Sequence, residues 1–234
     1  MPSNSYIARR GELETYFDRT AVKAWERLTS DAPVGRVRAM VRAGRDTMRS
    51  TLLSWLPDDM RGLRLLDAGC GTGALSVEAA RRGADVVAID ISPTLVGLAQ
   101  ERAPRDFGRG GRITFEVGDF LDARLGSFDH IVAMDSLIHY RGPDIAKTLA
   151  ALASRTHGSI VFTIAPQTPL LMVALGVGRL FPRGDRSPAI EPIAQKTLAR
   201  LIAQQPELQD HKIQRSHRVS GGFYVSEALE VSRA

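Results

Sequence analysis

The chain has 234 residues, 44% of them hydrophobic and 24% charged, which is typical of one globular domain with a full core. Its 31 Lys and Arg residues against 26 Asp and Glu give a formal charge of +5, and only four of the cations are lysines. A single cysteine, Cys70, excludes an internal disulfide framework and a cysteine-based zinc site. It also favours a reducing compartment. No apolar run reaches the roughly 20 residues of a membrane span and no secretory signal is recognisable, so a cytoplasmic location is expected.

Two helices are predicted in the first 60 residues. The segments from Tyr16 to Leu28 and from about Gly35 to Trp55 each place apolar side chains on one helical face. From Arg64 onward, short β-branched runs alternate with helical patterns, which indicates βαβ units and a mainly parallel sheet covered on both faces. Ser92 followed by Pro93 predicts a helix start, because a capping hydroxyl precedes a proline in the first turn.

The last third of the chain follows a different pattern. A segment rich in Pro, Gly and large apolar residues interrupts the alternation, and a helix is predicted from Pro192 to Gln205. Two strands, 211–221 and 223–233, then predict an antiparallel hairpin. We therefore predict an α/β fold in four segments, which are a helical arm (1–60), a ligand-binding core (61–166), a cap (167–191), and a helix and hairpin that complete the core (192–234).

The most specific signal is a glycine-rich turn between a predicted strand and a predicted helix, running from Asp67 to Gly73 with glycines at 69, 71 and 73. Glycine is required where the backbone turns sharply and where a ligand approaches it closely. Asp90 ends the next strand, at the spacing from which a carboxylate holds both hydroxyls of a ribose. With Ala74 the turn also fits the dinucleotide fingerprint, so an NAD-dependent oxidoreductase is an alternative. Asp67 disfavours it, because a carboxylate opposes a pyrophosphate but attracts the ammonium and sulfonium of S-adenosylmethionine.

The run D-x-G-x-G-x-G with Asp90 downstream resembles the first motif of class I methyltransferases. The ends of the third and fourth strands, at Gly118-Asp119-Phe120 and at Asp135, resemble the later motifs of that superfamily. The resemblance implies a Rossmann-like sheet, mostly parallel with a C-terminal antiparallel strand, plus N-terminal helices and a small cap. It also implies S-adenosylmethionine as cofactor, with Asp67 and the loop glycines at its methionine part, Asp90 at its ribose and Asp119 at its adenine amine. The cofactor-binding residues expected on this basis are Asp67, Gly69, Cys70 (a small space-filling residue), Gly71, Gly73, Asp90, Ile91, Asp119, Phe120, Asp135 and Leu137.

Three further stretches narrow the resemblance to one family. The segments from Tyr16 to Trp25, from Asp135 to Tyr140 and at Gly222-Phe223-Tyr224 are similar to the magnesium-protoporphyrin IX O-methyltransferases of (bacterio)chlorophyll synthesis. The resemblance covers residues 12–233. It departs from the family in the N-terminal helix, where Asp18 stands in place of the usual Asn and Ala21-Val22 in place of Gly-Phe.

This resemblance implies methyl transfer to one propionate of a magnesium porphyrin, with S-adenosylhomocysteine as the second product. A propionate has a pKa of about 4 to 5 and is ionised at neutral pH, so no general base is needed. We expect an N–H of His139 and the hydroxyl of Tyr16 to hold the carboxylate in line with the methyl group, unless backbone groups satisfy His139. Trp25, Tyr140, Arg179 and Arg183 are expected to bind the acceptor. The segment Pro169–Glu191 is expected to cover it, a core helix with a solvated loop or a membrane contact being the alternatives.

The arginines allow a second interpretation. Arg38, Arg42, Arg45 and Arg49 follow helical spacing, as on a solvated helix face or on a surface for anionic lipid headgroups of the inner (photosynthetic) membrane. The same stripe suits an acidic partner such as the large subunit of magnesium chelatase. No basic patch is interleaved with aromatic residues, so nucleic acid is not expected as a partner. The histidines form no helical ligand pair, and Mg²⁺ is expected only inside the substrate. A methyltransferase for another small molecule, such as a quinone precursor, is the remaining alternative.

Overall fold

A computed structural model describes residues 3–20, 35–168, 189–221 and 224–234. It contains a seven-stranded sheet with the strand order β3-β2-β1-β4-β5-β7-β6. The first five strands are parallel, and β7 runs antiparallel to both of its neighbours. The predicted fold class is thus confirmed, including the C-terminal antiparallel strand. The strands are β1 (Arg64–Ala68), β2 (Asp85–Asp90), β3 (Arg112–Val117), β4 (Phe128–Ala133), β5 (Thr156–Ile164), β6 (His211–Gly221) and β7 (Tyr224–Arg233).

Six α-helices lie within the described residues, with short 3₁₀ turns at Ala123–Leu125, Leu137–His139 and Pro206–Leu208. The helix start predicted at Ser92 is confirmed, because its hydroxyl accepts a hydrogen bond from the amide of Leu95 at 3.3 Å and Pro93 opens the helix. The helix predicted from Pro192 to Gln205 is shorter, since Ile193 pairs as an isolated bridge with Pro166. The helices are α1 (Asn4–Thr15), α2 (Arg36–Ser54), α3 (Ala74–Arg81), α4 (Pro93–Arg102), α5 (Gly142–Ala153) and α6 (Gln195–Ala203).

The core lies on both faces of the sheet. Successive residues of a strand point to opposite sides, so Leu66 and Phe162 belong to one buried cluster. Their neighbours Leu65 and Val161 belong to the other. Burial on both faces explains why the strands are almost continuously apolar in sequence.

The N-terminal segment is helical, as predicted, although its helices divide differently. α1 begins at Ser3, whose hydroxyl accepts from the amide of Tyr6, and it buries Tyr6 and Leu13 in the core. A π-helical turn, Tyr16–Thr20, follows α1 directly. The predicted helix from Tyr16 to Leu28 is described only over that turn, and residues 21–34 lie outside the described part of the chain.

Candidate active site

A cavity of about 290 Å³ lies at the carboxyl ends of the parallel strands, where the strand order reverses between β1 and β4. Ligands bind at this position in open α/β sheets, because the loops after the two neighbouring strands turn in opposite directions. The turns after β1, β2 and β4 form one side of the cavity, and α1, the π-helical turn and α2 form the other. The predicted site residues that line it are Asp67, Gly69, Cys70, Gly71, Asp90, Ile91, Phe120, Asp135, His139 and Tyr140.

The glycine turn is held against β2. The amides of Gly69 and Cys70 donate to the carbonyl of Ile89 at 2.8 and 3.0 Å. Gly69 has φ +84°, and a Cβ there would lie 2.6 Å from Cβ of Ser136, so the turn after β4 packs directly on it. At Gly71 a Cβ would meet no heavy atom within 4 Å, which leaves room for a ligand beside the backbone.

Gly73 has a different environment from the one predicted. It is not among the cavity-lining residues, and a Cβ there would lie 3.1 Å from Ala99 and 3.3 Å from Phe115. Its φ of +79° sets the entry into α3. Gly73 therefore allows close helix–sheet packing, which is the role of the third glycine in such turns.

Asp67 lines the cavity and is 2% exposed. The hydroxyl of Ser76 donates to its Oδ2 at 2.6 Å. Burial raises the pKa of Asp67 to about 6, and the bond from Ser76 opposes that rise. The carboxylate therefore ionises close to neutral pH, where it attracts a cationic ligand.

Asp90 ties the glycine turn to the next helix. Its Oδ2 accepts from the amide of Gly71 and its Oδ1 from the amide of Ser92, both at 2.9 Å. Burial raises the pKa of Asp90, and these amide bonds oppose the rise. Ile91 and Phe120 give the adjoining cavity wall an apolar surface of the kind that suits an aromatic ring.

The Cys70 side chain fits the structural role expected for it. Burial raises the pKa of its thiol well above the usual value, with the nearby carboxylates of Asp67 and Asp90 adding to the effect. The thiol is therefore protonated at neutral pH and unreactive.

Two other expected cofactor residues do not line the cavity. Leu137 is fully buried in the core. Asp119 is bonded to α1, since its Oδ1 accepts from the Tyr6 hydroxyl at 2.9 Å and its Oδ2 from Arg10 at 2.6 Å. The amide of Leu121 also donates to Oδ1. No sequence pattern indicates this pairing, because Tyr6 and Asp119 are 113 residues apart in the chain.

His139 lies at the end of the 3₁₀ turn after β4 and is 6% exposed. Burial lowers its pKa to about 4, so the ring is neutral at pH 7. Its Nδ1 lies 3.4 Å from the carbonyl oxygen of Ala189. A carbonyl can only accept, so Nδ1 carries the ring proton in this contact and Nε2 is an acceptor. The predicted N–H donor is therefore directed to the backbone in this state.

The aromatic residue beside His139 is Phe17. Its ring meets the imidazole edge-on at 5.8 Å between centroids, and it lines the cavity together with Leu13. Tyr16, the residue named from sequence, is not among the lining residues, and its ring packs on Phe17 at 5.2 Å. Phe17 and not Tyr16 lines the cavity, and the motif did not show which of the two does so. Of the predicted acceptor residues, Trp25, Arg179 and Arg183 lie outside the described residues.

The α2 arginines do not form one solvated or membrane-facing stripe. Arg42, Arg45 and Arg49 are partly buried and line the cavity, whereas Arg38 is exposed and does not. Arg45 donates to Oδ2 of Asp135 at 2.5 Å, and Arg49 donates to Asp46 at 2.7 Å. Amphipathic spacing placed these residues on one face, but only packing determined that the face borders a cavity.

Two findings restrict other kinds of site. Among residues 3–20, 35–168, 189–221 and 224–234, no group of three His, Cys, Asp or Glu side chains lies close enough together to hold a metal ion. No helix in that part of the chain is long and apolar enough to cross a membrane.

This sheet, its glycine turn and the two strand-end carboxylates define a class I S-adenosylmethionine-dependent methyltransferase, and residues 65–157 match the methyltransferase domain model. Residues 133–233 match the model described as the magnesium-protoporphyrin IX methyltransferase C-terminus. The chain is 52% identical over 231 residues to magnesium-protoporphyrin O-methyltransferase of Rhodobacter capsulatus, covering 98% of this chain and 99% of the relative. It therefore belongs to the magnesium-protoporphyrin O-methyltransferase family.

Two matches from one cyanobacterium agree with this. Magnesium-protoporphyrin O-methyltransferase of Synechocystis is 30% identical over 235 residues, which cover 99% of this chain and all of the relative. The crystal structure of magnesium protoporphyrin IX methyltransferase from Synechocystis with bound SAH superimposes with a TM-score of 0.83 at 29% identity, covering 96% of this chain and 99% of that one. The methyl donor is S-adenosylmethionine, and the NAD-dependent alternative is thereby set aside.

The cavity residues fit this cofactor. The Asp67 carboxylate matches a cationic methionine part, Asp90 matches a ribose, and the open space beside Gly71 leaves room for the ligand. When bound, S-adenosylmethionine supplies an electrophilic sulfonium methyl group.

Proposed function

We propose that this chain methylates one propionate carboxylate of magnesium-protoporphyrin IX and so forms the monomethyl ester in (bacterio)chlorophyll biosynthesis. The observation that carries the proposal, beyond family membership, is the division of charge in the cavity. Asp67 and Asp90 lie at the strand ends, and three arginines, Arg42, Arg45 and Arg49, line the cavity from α2 against one carboxylate there, Asp46. A cationic methyl donor and an anionic acceptor suit these two sides.

The task of the protein in this reaction is alignment and dehydration of a carboxylate. Holding two reactants in line contributes roughly 7–11 kcal/mol to lowering the barrier. Leu13, Phe17 and Phe120 give the cavity apolar walls that exclude water. A desolvated carboxylate is also a stronger nucleophile than a hydrated one.

We assign His139 the alignment of the acceptor carboxylate. The propionate arrives ionised and the imidazole is neutral at pH 7, so no proton has to move before methyl transfer. The ring N–H that faces the Ala189 carbonyl would donate to the carboxylate once the acceptor displaces that contact. The carboxylate attacks the methyl group, and its negative charge and the positive charge of the sulfonium are both lost as the ester and the thioether form. The N–H donor predicted from sequence thus stays part of the proposal.

Several other roles expected from sequence stay part of the proposal. The Tyr16 hydroxyl would be a second donor to the carboxylate, which requires it to turn past Phe17. Asp119 would accept from the adenine amine through Oδ2, since a carboxylate oxygen accepts a second donor besides Arg10. Tyr140 would border the acceptor, and Trp25, Arg179 and Arg183 would complete its site.

The cap predicted over 167–191 is supported by its described end. The amide of Glu191 donates to the carbonyl of Ile138 at 2.9 Å, and Arg9 donates to the Glu191 carboxylate at 3.1 Å. With Ala189 bonded to His139, this end of the segment runs along the 3₁₀ turn that carries His139. We propose that residues 167–191 cover the acceptor.

We propose that the chain is cytoplasmic and that it either touches the inner membrane or receives its porphyrin from the large subunit of magnesium chelatase. Either contact needs an exposed surface. The start of α2 provides one, where Val37 and Met40 are 50% and 45% exposed next to exposed Arg36 and Arg38. Salt-sensitive co-sedimentation with anionic liposomes, lost in an Arg36→Glu/Arg38→Glu variant, would support the membrane contact, and salt-insensitive sedimentation would count against it.

One assay tests the proposed activity. Purified protein is incubated with methyl-labelled S-adenosylmethionine and either magnesium-protoporphyrin IX or a quinone precursor, and the product mass is measured. We expect one labelled methyl group on the porphyrin. Label on the quinone precursor with none on the porphyrin would overturn the proposal.

The arginine wall has its own test. We expect Arg42→Gln and Arg49→Gln to raise KM for the porphyrin and to leave the Kd of S-adenosylmethionine unchanged. Arg38→Gln is the matched control, because it lies on the same helix but outside the cavity lining. A weaker Kd for S-adenosylmethionine in both cavity variants would instead assign the arginines to the carboxylate of the methyl donor.

A further inference from the structure

Asp135 follows β4 and has an unusual backbone conformation. Its φ is +55°, in the left-handed region that side-chain-bearing residues rarely adopt. Its amide donates to the hydroxyl of Thr163 on β5 at 2.7 Å. The next residues, 136–140, include the cavity-lining Ser136, His139 and Tyr140. The direction of the chain at Asp135 therefore determines where His139 lies.

The Asp135 carboxylate is bonded from three separate elements. Arg45 of α2 donates to Oδ2 at 2.5 Å, and the hydroxyl of Tyr224 of β7 is 3.1 Å from Oδ1 and 3.3 Å from Oδ2. The Thr163 hydroxyl of β5 lies 3.3 Å from Oδ1. These contacts supply three donors for the roughly four acceptor positions of a carboxylate. The Asp135 side chain is only 7% exposed.

The sequence of α2 is fitted to this arrangement. A Cβ at Gly44 would lie 2.6 Å from Cδ1 of Tyr224, so only glycine lets the tyrosine ring lie this close to the helix. The next residue, Arg45, then reaches the same carboxylate as the tyrosine hydroxyl. Burial and the neighbouring Asp135 raise the pKa of Tyr224, so the hydroxyl keeps the proton that it donates.

We infer that Asp135 is a positioning residue, whose carboxylate anchors the turn that carries His139 instead of binding the cofactor directly. Arg45, Thr163 and Tyr224 hold that carboxylate and thereby keep the strained backbone in one conformation. Such strain persists where the surroundings over-determine it, and it concentrates at active sites. The inference rests on the proposed function through His139. It replaces the cofactor contact expected for Asp135 from sequence.

Steady-state kinetics with calorimetry tests the inference. Asp135→Asn keeps the size of the side chain but sets an amide group against the donors of Arg45 and Tyr224. We expect kcat to fall roughly 100-fold, as for a reacting group displaced by about 1 Å. Tyr224→Phe keeps the ring packing and removes one hydrogen bond, so we expect a loss of roughly tenfold. In both variants the Kd of S-adenosylmethionine and KM for the porphyrin stay near the wild-type values.

Arg45→Gln and Arg218→Gln form a matched pair. Arg218 donates at 2.8 Å to Glu227, whose side chain is 7% exposed like that of Asp135, but this pair lies outside the cavity lining. We expect Arg45→Gln to lower kcat and Arg218→Gln to leave it unchanged. Loss of S-adenosylmethionine binding in Asp135→Asn with wild-type kcat at saturation would make Asp135 a cofactor ligand and overturn the inference. Wild-type kcat in both Asp135→Asn and Tyr224→Phe would overturn it as well.

A spectroscopic measurement separates this inference from the proposed function. The ¹³Cε1 resonance of His139 is followed in labelled protein without acceptor, and Tyr224→Phe is expected to shift it while Arg218→Gln does not. An unmoved resonance in Tyr224→Phe would contradict the positioning role even in an active enzyme. If the wild-type chain methylates no porphyrin but the resonance does shift, the proposed function fails and the positioning role stands.

Discussion

The hydroxyl of Ser76 on α3 donates a 2.6 Å hydrogen bond to Oδ2 of Asp67 at the end of β1. This contact opposes the effect of burial, and the balance leaves the pKa of Asp67 at about 6. The charge that attracts the methyl donor is therefore present at pH 7 and lost a little below it.

The first prediction concerns pH and cofactor affinity. Only the ionised Asp67 attracts the cationic methionine part, so affinity for S-adenosylmethionine falls as pH drops through about 6. Between pH 7 and pH 5 we expect Kd to rise roughly tenfold, following the ionised fraction. Calorimetry over this range checks it, with Asp67→Asn as the variant that should bind weakly at every pH. An equally steep pH dependence in Asp67→Asn would assign the effect to another group.

The second prediction concerns stability. The pKa of Asp67 is raised in the folded state from 3.8 to about 6, so the folded chain binds this proton more tightly than the unfolded chain. The favourable contribution is complete below pH 3.8 and is lost as pH rises through about 6. The ionised carboxylate then costs about 3 kcal/mol at pH 7, from about two pKa units at 1.36 kcal/mol each.

We expect Asp67→Asn to recover part of that cost, since the Ser76 hydroxyl can still donate to the amide oxygen. Urea unfolding at pH 5 and pH 7 measures this as a gain that is larger at pH 7. Equal stability of wild type and variant at both pH values would show that the charge on Asp67 does not lower the free energy of unfolding.

The third prediction separates two glycines of one turn. Gly69→Ala meets Ser136 in addition to an unfavourable φ, so we expect it to unfold at a clearly lower temperature. Gly71→Ala has the unfavourable φ of +54° but open space around its Cβ, which costs about 1–2 kcal/mol. Its methyl group occupies ligand space, so the folded variant should bind S-adenosylmethionine poorly. Thermal unfolding measures the stability of both variants, and calorimetry measures their cofactor binding. Normal binding by Gly71→Ala would contradict the prediction.

The fourth prediction tests His139 as a hydrogen-bond donor that aligns the acceptor carboxylate. We expect His139→Ala to lower kcat roughly 100-fold, as for a reacting group left misaligned, and to leave the Kd of S-adenosylmethionine unchanged. Since the pKa of His139 is about 4, kcat/KM should show no inflection from this residue between pH 6 and 9. An inflection in that range that disappears in His139→Ala would mean that His139 is charged in the free enzyme. Retention of full turnover by the variant would remove it from the reaction.

The sequence by itself was sufficient for the features that depend on local spacing. Short sequence patterns predicted the alternation of strands and helices, the glycine turn with Asp67 and Asp90, and the position of His139 after β4. They could do so because hydrophobic period and turn chemistry act over a few residues. The resemblance to one methyltransferase family rested on the same local runs.

Only the tertiary structure decided which distant groups meet. Tyr224 and Asp135 are 89 residues apart, and Tyr6 and Asp119 are 113 apart, yet both pairs share a hydrogen bond. Long-range packing also places the arginines of α2 at the cavity. It likewise makes Phe17, and not Tyr16, a cavity-lining residue. A repeating pattern defines the face of a helix, but the elements that fold over it determine whether that face meets water, lipid or a substrate cavity.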